Sequence, residues 1–321
     1  MKYMNATEAP IRIHGLLENY KRLPPNIINN ISKDVSVLAH NAAGGRVRFA
    51  TNAKEMEITV RLNGGGMMGH MPLTGMSGTD CYCDGVFIGT AFPGDMNVVE
   101  YKKTFRLDGQ RHEIEFNLPL YNGVKEIIIG FNDDAVVEAP RKYKYEKPIV
   151  YYGSSITEGG CVSRPGNCYT SMVSRWVDAD HINLGFSGSA LGETLMAEYI
   201  ASLEMSAFVL DYDHNAPTAE HLMATHKPFF DRIRRAHPTL PIVIMTKPDY
   251  DNGPEAGAQR RFTILKTYME AMESGDKNVY FCDGKAMFTD AHRDSCTVDC
   301  CHPNDLGHYR MAKAVHRELP L

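Results

Sequence analysis

Over residues 1–140 apolar side chains recur at every second position. In KEMEITVRL (54–62), Met56, Ile58, Val60 and Leu62 fall on one face of an extended chain, and in HEIEFNLPL (112–120), Ile114, Phe116 and Leu118 do the same. RVRFA (46–50), GVFIGTAF (85–92) and KEIIIGF (125–131) add further strands, with little helical periodicity between them. A period of two marks strands with one buried face. Several such strands separated by Gly and Asn turns predict an antiparallel, jelly-roll-like sandwich over 1–140. The charged stretch EAPRKYKYEK (138–147) has no core pattern, and 141–147 reads as a linker. Over 148–321 the rhythm changes. The short apolar runs PIVYY (148–152), HINLGF (181–186), SAFVLDY (206–212), LPIVIMT (240–246) and NVYFCD (278–283) alternate with helical spacing. Phe262, Leu265, Met269 and Met272 share one side of a helix, as do Met311, Val315 and Leu319 at the end. This alternation predicts a parallel sheet with helices on both faces, whose ligands sit at the carboxyl ends of the strands.

One stretch of the first module fits neither rhythm. Residues 63–80, NGGGMMGHMPLTGMSGTD, hold six glycines and four methionines and read as too flexible for a packed element. Such a segment is either a loop leaning over a site in the second module or a mobile surface connection.

Composition narrows the class. A chain of 321 residues accommodates two domains, and 43% hydrophobic with 23% charged residues is ordinary for a globular protein. A formal charge of −5 gives no electrostatic reason to expect nucleic acid or an anionic membrane as partner. The N-terminal MKYMNATEAPIRIHG lacks a signal-peptide apolar core, and no segment has the apolar length of a membrane span, so a cytoplasmic protein is expected. The eight cysteines form no CxxC pair and are expected as reduced thiols, with Cys81 and Cys83 acting as small hydrophobes in a strand.

Candidate chemistry lies where the strands end. The first run of the second module leads into YYGSSITEGG (151–160), where Gly153 and Gly159–Gly160 permit a sharp turn that presents Ser155 or Ser154. By itself this turn reads as a nucleophile, a phosphate contact or turn filler. Gly188 lies in NLGFSGSALGE, Asn215 in LDYDHNAPT ahead of a helix start near Thr218, and Asp299 with His302 in TVDCCHPND, just before a helix opening near Asn304. Acyl transfer by serine needs these kinds of group. A hydroxyl becomes nucleophilic when a base takes its proton, and histidine suits that task near neutrality. A carboxylate fixes the imidazole tautomer, and backbone and amide N–H groups hold the oxyanion.

Taken together these blocks resemble the SGNH or GDSL-type hydrolases. GSSIT is similar to the family's serine turn, Ser187-Gly188 to its glycine step, Asn215 to the asparagine of its third block and Asp299-Cys300-Cys301-His302-Pro303 to its terminal DxxH. The resemblance implies a flavodoxin-like three-layer α/β/α domain over 148–321. It implies a serine esterase with a Ser155–His302–Asp299 triad and an oxyanion hole of Ser155, Gly188 and Asn215. Two departures stand out. Ser154 occupies the place of the usual Asp, and DYDHN replaces GxND, so His214 or Asp213 could lie nearer the substrate than Asn215. Gly78-Thr79-Asp80-Cys81-Tyr82 resembles the GxDLY motif of a subgroup with a β-rich N-terminal module. That subgroup implies a short acyl group, acetyl above all, on a sugar or other small polar molecule, and no cofactor.

Rival readings remain at this point. The serine turn on a flavodoxin-like sheet could cradle the phosphate of a flavin or nucleotide, or the fold could bind carbohydrate without turnover. Asp299, His302 and His308 could hold a metal, although their spacing fits no zinc signature and no metal is expected. Arg164 and Asn167 follow the serine turn and, with His214, are candidates for contact with substrate, against the alternative of a solvated loop.

Overall fold

The protein is described here by a computed structural model covering residues 1–248, 253–289 and 291–321. Its N-terminal module is a sandwich of two antiparallel sheets. One sheet orders Lys2–Asn5, Val124–Phe131, Glu55–Leu62 and Glu100–Arg106. The other orders Val137–Glu138, Arg46–Thr51, His112–Asn117, Thr79–Cys83 and Val86–Ala91, with Arg12–His14 added on Arg46–Thr51. The alternating residues meet between the sheets, where Met56, Ile58, Val60, Ile114, Phe116 and Cys81 share one core.

The second module carries a parallel sheet of strands β1 (Tyr145–Gly153), β2 (Ala179–Gly185), β3 (Ala207–Asp211), β4 (Ile242–Met245) and β5 (Val279–Cys282), in the order β2-β1-β3-β4-β5. This is the flavodoxin-like doubly wound order. Alternate residues of β1 enter opposite cores, Ile149 and Tyr151 on one face, Val150 and Tyr152 on the other. That explains why the strand reads as an unbroken apolar run. Helices α2 (Tyr169–Val177) and α6 (Asp305–Glu318) cover the first face. Helices α3 (Thr194–Ala201), α4 (Ala219–Ala236) and α5 (Pro254–Glu273) cover the second. The single turn α1 (Ser155–Glu158) follows β1 directly.

Three expectations need correction. The side of α5 shared by Phe262, Met269 and Met272 faces solvent, and the helix packs through Ile264, Thr267 and Ala271 instead. The stretch 141–147 is tied down: β1 starts inside it at Tyr145, and Tyr143 is buried under the Arg48 guanidinium. Residues 63–80 are only half irregular. Leu73–Met76 form a short helix, and Met71 and Met76 are buried in the same core as Ile156 and Tyr151. Gly75 permits that approach, since a Cβ there would lie 2.1 Å from the Val162 carbonyl oxygen.

The modules share their interiors. Leu23, Ile27, Val35 and Ala39 pack with Tyr152 and Phe186 on one face of the parallel sheet, and Ala43, Leu120 and Tyr121 join the core on the other.

Buried titratable groups give this fold a defined pH response. Burial pushes His226 down to about 3 and His308 down to about 4, and burial beside Arg46 holds His181 well below its ordinary value. Unfolded, each would take up a proton as pH falls through about 6.5, so the unfolded chain binds more protons and acid destabilises the fold. Asp211, raised by burial to about 6, opposes this between about pH 6 and 4 because the folded state then holds its proton. Glu158 and Asp80, also raised by burial, oppose it in the same sense as Asp211, so the loss set by the three histidines is partly offset and stability is expected to fall as pH drops through about 6.5. Denaturant midpoints measured at half-unit steps check this, and a flat profile there would contradict it.

Candidate active site

Strand β1 ends at Gly153, opposite Gly185 of β2 and Asp211 of β3. Ser154 then caps α1, its hydroxyl accepting the Ile156 N–H at 3.2 Å. The turn drops onto the end of β2, which only glycine allows, because a Cβ on Gly185 would sit 2.1 Å from the Glu158 nitrogen. Ser155 is thereby placed at the carboxyl edge of the sheet, where a doubly wound fold leaves its crevice.

The loop between β5 and α6 brings the second group. It is closed by an isolated bridge between Thr297 and Pro303 and by the Val298 N–H on the His302 carbonyl at 3.0 Å, while Asn304 caps α6. His302 Nε2 lies 3.0 Å from Ser155 Oγ and its Nδ1 2.7 Å from Asp299 Oδ2. An ionised carboxylate can only accept, so Nδ1 carries the proton and Nε2 is left to accept from the serine hydroxyl. Asp299 Oδ1 also accepts the backbone N–H groups of His302 at 2.7 Å and Cys301 at 3.1 Å. Partial burial would raise the Asp299 carboxyl, but these bonds, the ring's first, outweigh it and hold the group below the usual carboxylate range.

After β2 the chain turns through Phe186–Ala190, its Phe186 N–H on the Gly153 carbonyl at 2.8 Å. Gly188 is exposed with φ at +67°, a backbone state that favours glycine. Asn215 closes the short turn after β3, and its Nδ2 donates to the Phe186 carbonyl at 2.7 Å. Ser155, the Gly188 turn and Asn215 therefore stand on three adjacent strand ends. His214 lies beside the same loop as His302, its Nδ1 3.8 Å from Cys301 Sγ. Asp213 is buried and turned inward, accepting the Lys247 N–H at 2.9 Å and facing Arg260. Arg164 is committed to the N-terminal module, its Nη1 donating to Asp80 Oδ2 at 2.9 Å and to the Tyr82 hydroxyl at 2.6 Å. Asn167 donates to Ser163 Oγ at 3.2 Å. Both nitrogens of His308 are used by backbone, Nε2 donating to Gly160 O at 3.1 Å and Nδ1 accepting the Tyr169 N–H at 3.2 Å.

Several further residues buttress this site. Glu158, fully buried, accepts Arg22 at 3.0 Å and Asn41 at 2.9 Å on Oε1, and the Ser187 N–H at 2.9 Å on Oε2. Arg22 also donates to the carbonyls of Gly185 and Leu38 and lies over the Phe186 ring. Burial pushes the Glu158 carboxyl up, and Arg22 is the first of the partners that pull it back. The Tyr121 hydroxyl donates to the Ser155 carbonyl at 2.8 Å. Asp80, within the GxDLY-like segment, receives Arg164, the Gly166 N–H at 2.8 Å and Asn117 at 2.9 Å, locking the two modules together just beyond the serine turn. The ring of His70 stands 5.2 Å from that of His302, tilted by 50°. Cys161 is no rival nucleophile, because burial, then Asp299 and Cys301, push its thiol up to about 12. Glu158 was visible in YYGSSITEGG as a charge set among small residues, whereas Arg22, Asn41 and Tyr121 offered nothing to distinguish them from surface residues.

Among the described residues no helix is long and apolar enough to cross a membrane. No curated protein matches the sequence. A crystal structure from Bacteroides ovatus ATCC 8483, described as a GDSL-like lipase, is 27% identical, with TM-score 0.87 and coverage of 98% of this chain and 95% of that one. The salicylyl-acyltransferase of a tetracycline biosynthetic pathway is 19% identical with TM-score 0.82, covering 99% and 96% of the two chains. A family two carbohydrate esterase from Clostridium thermocellum, solved with cellohexaose, is 16% identical with TM-score 0.62, covering 86% and 91%. Residues 1–137 match the GxDLY family, the N-terminus of SGNH-hydrolase-type esterases. Residues 146–320 match the GDSL-like lipase/acylhydrolase family, and the chain belongs to that family of ester-cleaving enzymes.

Proposed function

We propose that the protein hydrolyses a short-chain ester, acetyl above all, carried by a carbohydrate or another small polar molecule. In this reading Ser155 Oγ attacks the ester carbonyl while His302 Nε2 takes its proton, and Asp299 holds the imidazole and steadies the imidazolium. The oxyanion is held by the N–H groups of Ser155 and Gly188 and the amide of Asn215. His302 returns its proton to the leaving alcohol, and a water activated by the same ring releases the acyl group. The observation that carries the reading is the unbroken run Ser155 Oγ, His302 Nε2, His302 Nδ1, Asp299 Oδ2 at 3.0 and 2.7 Å. The carbohydrate esterase solved with cellohexaose supports a sugar ester as the substrate class. A phosphate-cradling role for the serine turn is disfavoured, because it leaves the Ser155–His302–Asp299 run without a use.

A fluorophosphonate probe and short p-nitrophenyl esters test the proposal. Wild type is expected to be labelled and to turn over, whereas Ser155→Ala is expected to do neither. Equal labelling of both proteins would assign the nucleophile elsewhere.

A further inference from the structure

We propose that His70, Cys161 and His302 form a site for a zinc-type divalent ion, and that its occupation shuts the active centre. The three residues come from separate parts of the chain: the glycine-rich stretch of the N-terminal module, the turn just beyond α1, and the loop before α6. Each offers one ligand atom, and these atoms lie within 4.8 Å of one another. One thiol and two imidazoles are a borderline-soft set that selects zinc, and also copper or nickel, over magnesium and calcium.

The geometry is close to closure. Zinc–sulfur and zinc–nitrogen bonds of about 2.3 and 2.0 Å put tetrahedral ligands roughly 3.3–3.6 Å apart, so no pair in the set need close by more than about 1.5 Å. Two members are held in place. Cys161 is 5% exposed, and the His302 ring is bonded at both nitrogens. The third can move: His70 is exposed and follows Gly69, around which a Cβ would meet nothing within 4 Å. A metal deprotonates a coordinating thiol, and a water completes the fourth position.

Inhibition follows from which atoms are taken. His302 Nδ1 faces Asp299 and Nε2 faces Ser155, so a metal on either nitrogen removes one link of the proton relay. Metal and relay exclude each other whichever nitrogen binds. The ion acts as a reversible block, with no part in turnover. Metal binding itself stands independently of the hydrolase reading, and only the inhibition rests on it.

The test uses the full chain with buffered zinc and, separately, cobalt(II). Zinc is expected to inhibit p-nitrophenyl ester hydrolysis by wild type at concentrations roughly tenfold or more below those needed for His70→Ala or Cys161→Ala, each compared with its own metal-free rate. Cobalt is expected to give a thiolate charge-transfer band in wild type and in Ser155→Ala, and none in Cys161→Ala. The band in Ser155→Ala reads binding without catalysis, so loss of the hydrolase reading would leave this result standing. A second group, Cys83, Asp84 and His112, also offers ligands at the surface of the N-terminal module, and His112→Ala controls for it. Equal zinc sensitivity in wild type, His70→Ala and Cys161→Ala would overturn the proposal, as would a cobalt band lost only in His112→Ala. His70→Ala alters an exposed side chain, so its result does not depend on a core variant folding.

Discussion

His302→Ala is expected to lower kcat for ester hydrolysis by on the order of 10⁴–10⁶-fold while leaving the circular dichroism spectrum and the denaturant midpoint nearly unchanged. The size follows from removing the proton acceptor bonded to Ser155 Oγ, at 3.0 Å. The structural silence follows from the ring's place in a surface loop, where its side chain is partly exposed. Asp299→Asn separates orientation from proton transfer. The amide can donate to the imidazole, which favours the wrong tautomer and is expected to cost about 10⁴-fold in kcat. Its loss should not add to that of His302→Ala, because the two act as one unit. A fall of less than about tenfold in either variant would mean that the Ser155–His302–Asp299 array is not the working relay.

Arg22→Met is expected to destabilise the protein by about 3–5 kcal/mol, because it strands a fully buried carboxylate at Glu158. The same change should reduce kcat. Glu158 holds the Ser187 N–H, one residue before Gly188, and Arg22 itself holds the Gly185 carbonyl. Adding Glu158→Gln to Arg22→Met removes the stranded charge and should recover much of the lost stability, a coupling that a double-mutant cycle reads directly. Urea unfolding followed by fluorescence or circular dichroism gives the numbers. A cost below about 1 kcal/mol for Arg22→Met would show that the pair contributes little to either fold or site.

Much of this architecture was legible because the signals were local. The apolar runs at Pro148–Tyr152 and Leu240–Thr246 mark strands buried on both faces, and the capping residues Thr218 and Asn304 stand where the helices begin. Asp299 and His302 are three residues apart, so their contact is written into one loop. The misreadings have the opposite cause. Phe262, Met269 and Met272 keep helical spacing, but spacing cannot say which side of α5 meets the sheet. Met71 and Met76 sit among glycines, and only the distant core around Ile156 turns that stretch into packed structure. Arg22 reaches Glu158 across 136 positions, and Tyr121 reaches Ser155 across 34. No periodicity encodes such pairings. The readings of Arg164 and Asn167 as substrate contacts had only proximity along the chain behind them, and the Asp80 carboxylate claims the first.

The interlocking of the two modules bears on when during synthesis the enzyme can first act. The serine turn is propped from the amino-terminal side by Arg22, Asn41 and Tyr121, and from the far end by His308, whose ring holds Gly160. A nascent chain that has released its first half from the ribosome owns the props without the turn they support, and one lacking the final helix lacks the His308 ring that holds Gly160. Esterase activity should therefore appear only once Asp305–Glu318 has emerged and packed, as a single late event.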